Sequence, residues 1–152
     1  MGLDSYLWKK TSVNSWNDDG FVKYDVTVTS EGKPVEHVDP SKVAYIIEEV
    51  GYWRKANHIH NWFVQNVQNG VDDCNAYYVE EKELEKLLDI CNKILENPKL
   101  GESLLPTQSG FFFGSTEYDE WYLEGIKYTK ELLEEALEVK SHGVYFEYES
   151  SW

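Results

Sequence analysis

Between Glu80 and Pro98 the apolar residues keep one spacing. Leu84, Leu87, Leu88, Cys91, Ile94 and Leu95 recur three, four and seven positions apart, and Asn97-Pro98 follows at once. That period describes one face of an α-helix and not a strand, and proline cannot continue it. Cys91 lies within this face, which makes it a small core residue rather than a nucleophile. The chain must bury this stripe against another layer. Its 152 residues suffice for a single domain, 1–152, with one core.

The other layer is read from the chain ends. In Phe21 to Thr29 apolar and polar residues alternate, which places Val22, Tyr24, Val26 and Val28 on one strand face. Leu3 to Lys10 is the expected partner, with Asn17-Asp18-Asp19-Gly20 as the turn between them and Glu31-Gly32-Lys33-Pro34 closing the strand. Val144 to Tyr148 reads as a short C-terminal strand after Gly143, pairing with this hairpin. The expected class is α+β: a small antiparallel sheet from the N-terminal hairpin and the C-terminal strand, packed with three or four helices.

The middle of the chain reads as helical. Asp39-Pro40-Ser41 resembles a helix start, with Val43, Ile46, Ile47 and Val50 following at helical spacing, although a strand over 43–50 fits so short a run too. Tyr52, Ala56, Ile59, Phe63 and Val67 form the next stripe, ended by Asn69-Gly70. A last helix is expected directly after Gly114. Ser115 or Thr116 would cap it, and Glu117, Asp119 and Glu120 would fill the first turn, where the helix dipole favours acids. Trp121, Tyr122, Ile126, Leu132, Leu133, Ala136 and Leu137 carry it to about Val139.

Charge restricts the partners. The formal net charge is −14, and half of it lies from Glu117 onward. Such a field repels nucleic acid and anionic membranes, so no direct nucleic-acid or membrane partner is expected. No apolar run approaches the roughly 18 residues of a membrane span. The start MGLDSYLWKK lacks the apolar core of a leader, and a myristoylation pattern fails at Tyr6. Two cysteines do not make a disulfide framework, and a cytoplasmic protein is the simplest reading.

Two runs carry side chains suited to chemistry. The first is Tyr52-Trp53-Arg54-Lys55-Ala56-Asn57-His58-Ile59-His60-Asn61-Trp62-Phe63, which holds the only arginine. On a helix, Arg54, His58, Asn61 and Gln65 fall one turn apart, beside a ridge of Trp53, Asn57 and His60. Guanidinium pairs with phosphate, rings stack on a base and amides read its edges, so the set suits a planar anionic ligand. His58 and His60 stand about 200° apart on a helix and cannot share a metal, and no CxxC or EF-hand spacing occurs. Neither metal nor cofactor is expected.

The second run is Leu104-Leu105-Pro106-Thr107-Gln108-Ser109-Gly110-Phe111-Phe112-Phe113-Gly114. Here Gln108 and Ser109 offer polar groups, and the two glycines allow close backbone approach or positive φ. The helix expected after Gly114 would present free N–H groups to an anion. Phe111 and Phe113 read as a short buried strand, with Phe112 on the opposite face and able to line a pocket. A set drawn from Ser109, His58 and Asp119 would be needed for nucleophilic catalysis, and nothing in the spacing brings the three together.

The runs EEVGYWRKANHIHNWFVQNVQNGVDDC and LLPTQSGFFFGSTEYDEWY resemble a family of small proteins encoded by bacteriophages and prophages, over about residues 47–135. The resemblance implies a setting, the host bacterial cytoplasm, and an accessory role such as countering host defence. It supplies no catalytic residues.

Three functions follow as expectations. The first is a phage accessory protein that binds and sequesters a small nucleotide-like ligand without catalysis. Arg54, Asn57, His58 and His60 would contact its polar groups, Trp53, Trp62 or Phe112 would stack on it, and Gln108, Ser109 and the backbone at Gly114 would hold phosphate. A homo-oligomer completing the site is compatible with the aromatic excess. The second is an acidic inhibitor of a host defence protein, with Glu131, Glu134, Glu135 and Glu138 mimicking nucleic-acid phosphates. The third is a nucleotide hydrolase with His58 or His60 as base, which has no motif behind it.

Overall fold

A computed structural model describes residues 2–139 and 141–152. Met1, which opens the stretch tested for a leader and for myristoylation, lies outside them. The elements in chain order are β1 (Asp4–Ser12), β2 (Asn14–Asn17), β3 (Gly20–Lys23), β4 (Thr29–Ser30), β5 (Lys33–Pro34), β6 (Tyr45–Arg54), α1 (Asn57–Asn66), β7 (Tyr77–Val79), α2 (Glu81–Glu96), α3 (Gly101–Leu104), α4 (Glu120–Glu138) and β8 (Val144–Ser151). The class is α+β. A four-stranded antiparallel sheet in the order β6-β1-β8-β7 packs with the helices, and the N-terminal and C-terminal strands both lie in it.

The pairing of β1 differs from the sequence expectation. Its neighbours are β8, with Leu7 opposite Tyr148, and β6, with Leu7 opposite Gly51. The strand expected at Phe21 to Thr29 stops at Lys23 and pairs only with β2, across the Asn17–Gly20 turn. Alternation assigns faces to a strand but does not name its partner, and here the longer β6 and β8 take both edges of β1. Residues 14–43 thus form an arm between β1 and β6, carrying two small hairpins. None of its described side chains is buried, and Trp16 and Phe21 face each other in the open, 5.2 Å between ring centroids.

Residues 43–50 resolve as strand rather than helix. The Asp39 carboxylate does cap, accepting from Ser41 N at 3.0 Å, but only for a single 3₁₀ turn, Pro40–Lys42. Val43 is already extended, and the β-branched residues after it complete β6 beside β1. Between Leu7 and Trp8 the register slips, leaving Val50 as an extra residue in a bulge. The apolar side chains of 45–47 are consequently exposed rather than a buried helical stripe.

The core lies between the inner sheet face and the helices. Leu3, Ser5 and Leu7 of the N-terminal strand region point inward, while Tyr6 and Trp8 stack on the outer face at 5.2 Å. The Tyr148 ring lies flat on Phe63 of α1, 3.9 Å between centroids. Leu84, Leu87, Cys91 and Ile94 of α2 are buried, as their spacing requires, and face Ile126 and Leu133 of the core built with α4. Each such burial stabilises the fold by about 1.5–3 kcal/mol. α1 is the central helix: seven of its ten residues are buried, on more than one side. Among the described residues no helix is long and apolar enough to cross a membrane.

Candidate functional site

The segment from Thr107 to Tyr118 is irregular, and side chains organise it. Asn57, at the start of α1, donates from Nδ2 to the carbonyls of Phe113 (2.9 Å) and Ser115 (2.8 Å), and its Oδ1 accepts from Gln108 N (2.9 Å). Thr107 N donates to Tyr118 Oη (3.0 Å), and Leu3 N donates to the Phe112 carbonyl (3.1 Å). These bonds supply the partners that a strand ladder would have supplied.

The three phenylalanines are therefore not a strand. They sit in a turn closed by Phe113 N to the Gly110 carbonyl (3.2 Å). Phe113 is buried as expected, but Phe111 is 94% exposed. Gly110 is required by space: a Cβ there would lie 2.6 Å from the Phe113 ring. Gly114 is required by conformation, with φ +84°. The helix expected directly after Gly114 begins at Glu120 instead. Asp119 caps it, accepting from Tyr122 N at 3.1 Å, while Ser115 Oγ only closes a local turn with Glu117 N.

Two clefts of about 450 Å³ each flank this segment. The first lies between the end of β6, the start of α1 and the first three turns of α4. It is lined by Tyr52 to Ala56, His58, Thr107, Gly114, Ser115, Glu117, Asp119, Trp121, Tyr122, Gly125 and Tyr128. The second is lined by His60, Asn61, Asp72, residues 108–113 and Trp152, among others. A smaller cavity of about 140 Å³ holds Trp62 with His58, Asn61, Leu105 and Pro106.

The ten expected site residues are thus divided. Trp53, Arg54, His58 and Gly114 meet in the first cleft; His60, Gln108, Ser109 and Phe112 meet in the second. Asn57 commits its side chain to the loop between them, and Trp62 lines only the small cavity. The Gly114 turn faces Arg54 across one cleft, whereas Gln108 does not. Ser109 and His58 line different clefts, so the set Ser109, His58 and Asp119 is not assembled.

The first cleft is lined by cations, acids and aromatic rings together. Arg54 and Lys55 supply its cations. Arg54 Nη1 lies 3.6 Å from Asp4 Oδ1, and the same carboxylate accepts from Tyr52 Oη at 2.6 Å. Lys55 adopts a left-handed backbone, φ +55°, held by its N–H to the Leu3 carbonyl at 2.7 Å. A non-glycine residue in that region is uncommon and clusters at functional sites. Glu117 and Asp119 line the cleft too, so it is not uniformly positive. Its α4 wall presents Trp121, Gly125 and Tyr128, and Trp121 is 84% exposed.

His58 forms part of the wall, its ring 4.5 Å from that of Tyr122. It is only 6% exposed, and its Nε2 has no hydrogen-bond partner among the described residues. Burial pushes its pKa down to about 4, so the imidazole is neutral at pH 7. His60 is the opposite case. Its Nδ1 meets Tyr148 Oη at 2.8 Å and its Nε2 meets Asp72 Oδ2 at 3.0 Å, while Trp152 Nε1 donates to the other oxygen of Asp72 at 2.9 Å. Both ring nitrogens of His60 are engaged within the fold.

Tyr52, Lys55, Trp121 and Tyr128 were missed by sequence reasoning. The spacing in the sequence places Trp121 in the buried stripe of the last helix. Yet Tyr122, Ile126, Thr129, Leu133 and Ala136 form that stripe, and Trp121, Gly125 and Tyr128 fall at i, i+4 and i+7 on the adjoining face. That spacing was the available signal. Trp53, expected to stack on a ligand, is instead largely buried, with Nε1 donating to Thr129 Oγ1 at 2.9 Å. The acids Glu131, Glu134, Glu135 and Glu138 lie exposed on α4, with Glu134 paired to Lys130. Among the described residues no group of three or more His, Cys, Asp or Glu is placed to hold a metal ion. Comparison with family models, with curated proteins and with solved structures returned no match.

Proposed function

We propose that this protein binds a small nucleotide-like ligand in the first cleft and holds it without turnover. The observation that carries the reading is the joint lining of that cleft: the only arginine, the adjacent Lys55, and the exposed rings of Tyr52, Trp121 and Tyr128. Arg54 and Lys55 suit a phosphate, and the rings suit a planar base. The volume is within the range of small-molecule sites. The ligand lies between β6, α1 and α4, with Ser115 and the Gly114 backbone beside its phosphate.

The resemblance to phage and prophage proteins gives this activity a setting. Capture of a nucleotide signal in the cytoplasm of an infected bacterium would blunt a defence that depends on it. A homo-oligomer that completes the cleft belongs to the same proposal.

Calorimetry against cyclic and linear nucleotides tests it. Binding by the native chain, weakened at least about tenfold by Arg54→Ala, is the expected result. No binding across the panel overturns the reading. Mass spectrometry of the ligand released by heating then separates capture from hydrolysis: intact nucleotide supports capture, and cleaved nucleotide supports an enzyme.

A further inference from the structure

The main sheet has one long free edge. β6 pairs only with β1, so its other side meets no strand. The Ala44 carbonyl accepts from Val13 N at 2.9 Å, which turns Ala44 toward β1. Alternation along an antiparallel strand then turns the N–H and C=O of Tyr45, Ile47 and Glu49 away from β1. Beyond the bulge at Val50, Tyr52 N points away from β1 too, and there Tyr128 Oη of α4 accepts it at 3.2 Å. Among the described residues the outward backbone groups of Tyr45, Ile47 and Glu49 have no such partner.

The side chains of this stretch are open as well. Residues 45–49 are all exposed, on both faces of the sheet, and three of them are Tyr45, Ile46 and Ile47. An apolar strand with an unpaired edge is a template for another strand, and edges that stay single are commonly blunted with lysine or proline. Neither stands in 45–49. The opposite edge of the sheet, β7, has only three residues and is followed closely by α2.

The order of the residues says which strand fits. In an antiparallel pair of two copies centred on Ile47, each Tyr45 meets a Glu49, each Ile46 meets a Glu48, and Ile47 meets its own equivalent. No acid then faces an acid, and Glu48 is already paired to Lys9 of its own chain at 2.8 Å. The three outward-facing residues of one copy meet those of the other, which closes about six hydrogen bonds. Centring the pair on Glu49 sets acid against acid. Centring it on Tyr45 runs Glu48 and Glu49 onto the Pro40–Lys42 turn, outside the strand.

We propose that two copies of this chain join edge to edge along residues 45–49 of β6, two-fold about Ile47, and merge their four-stranded sheets into one. The surface lies at the other end of β6 from the first cleft, and neither proposal needs the other.

Sedimentation equilibrium of the full chain over a range of concentrations tests it, with Ile47→Lys beside the native chain. The native chain is expected to form a reversible dimer. Ile47→Lys sets two like charges opposite each other and is expected to weaken that dimer at least about tenfold. Added salt is expected to tighten the native dimer by screening the repulsion between two chains of net charge −14. A native chain still monomeric at about 0.5 mM overturns the proposal. So does a dimer that Ile47→Lys leaves unchanged, or one that salt dissolves. Cross-linking tests the register without relying on the folding of Ile47→Lys. Across the two-fold axis the Cα atoms of position 47 lie about 5.5 Å apart, within reach of a disulfide, whereas those of position 49 are about 13 Å out of step. Under mild oxidation Ile47→Cys is expected to link two chains well above the background from native Cys74 and Cys91, and Glu49→Cys is not. Equal linking by the two variants overturns the pairing about Ile47.

Discussion

Asn57 Oδ1 accepts the backbone N–H of Gln108 at 2.9 Å, while the Nδ2 of the same side chain donates to two carbonyls further along the loop. One amide therefore holds the segment that separates the two clefts. Asn57→Ala removes three buried or half-buried bonds at once and is expected to destabilise the fold by about 2–4 kcal/mol. Urea unfolding measures it. A loss below about 1 kcal/mol would mean that the loop holds itself.

His58 links stability to pH. Its pKa falls from 6.5 to about 4 on folding because burial disfavours the imidazolium. Below pH 6.5 the unfolded chain takes up this proton and the folded chain does not, so stability drops as pH falls toward 4 and is unaffected above 6.5. Between pH 7 and pH 5 the loss from this group is roughly 2 kcal/mol. His58→Phe should flatten that part of the profile. Equal slopes for the native chain and the variant, by urea unfolding at both pH values, would exclude the effect.

The two cysteines should differ in reactivity. Cys91 is enclosed in the core, and burial pushes its thiol up to about 12. Cys74 is half-buried in the segment after α1. A thiol reagent at pH 8 should modify Cys74 in the folded protein and Cys91 only on unfolding. Rapid modification of two thiols in the folded chain would contradict this burial.

Trp121 and Leu87 separate binding from folding. Trp121 is exposed on the cleft wall, so Trp121→Ser should change stability by less than about 0.5 kcal/mol while weakening nucleotide binding. Leu87 is fully buried, so Leu87→Ala should cost about 2–5 kcal/mol. Thermal unfolding paired with calorimetry reads both effects. A Trp121→Ser variant that unfolds early would place that ring in the core.

Much of the candidate site was legible as composition and little of it as geometry. Arg54 and the Gly114 turn were singled out from the sequence and do share a cleft. Gln108 was grouped with them and faces the other side, because Asn57 draws the loop backbone inward between the two. His58 and His60 looked alike in the sequence. The first borders α4 and the second bridges β8 to Asp72, a consequence of α1 being central rather than one-sided.

The sequence by itself determined α2, the stop at Asn97-Pro98, the C-terminal strand β8 after Gly143, and the α+β class. These rest on spacing and chain breakers, which act between near neighbours. Tertiary structure decided the rest. Residues 45–54 became strand because β1 offered an edge, β3 was left outside the main sheet because β6 and β8 occupied both sides of β1, and Phe111 lay open because Asn57 took up the loop's backbone bonds. Such choices depend on which distant groups satisfy a strand edge or a buried amide. Local periodicity carries no record of those partners.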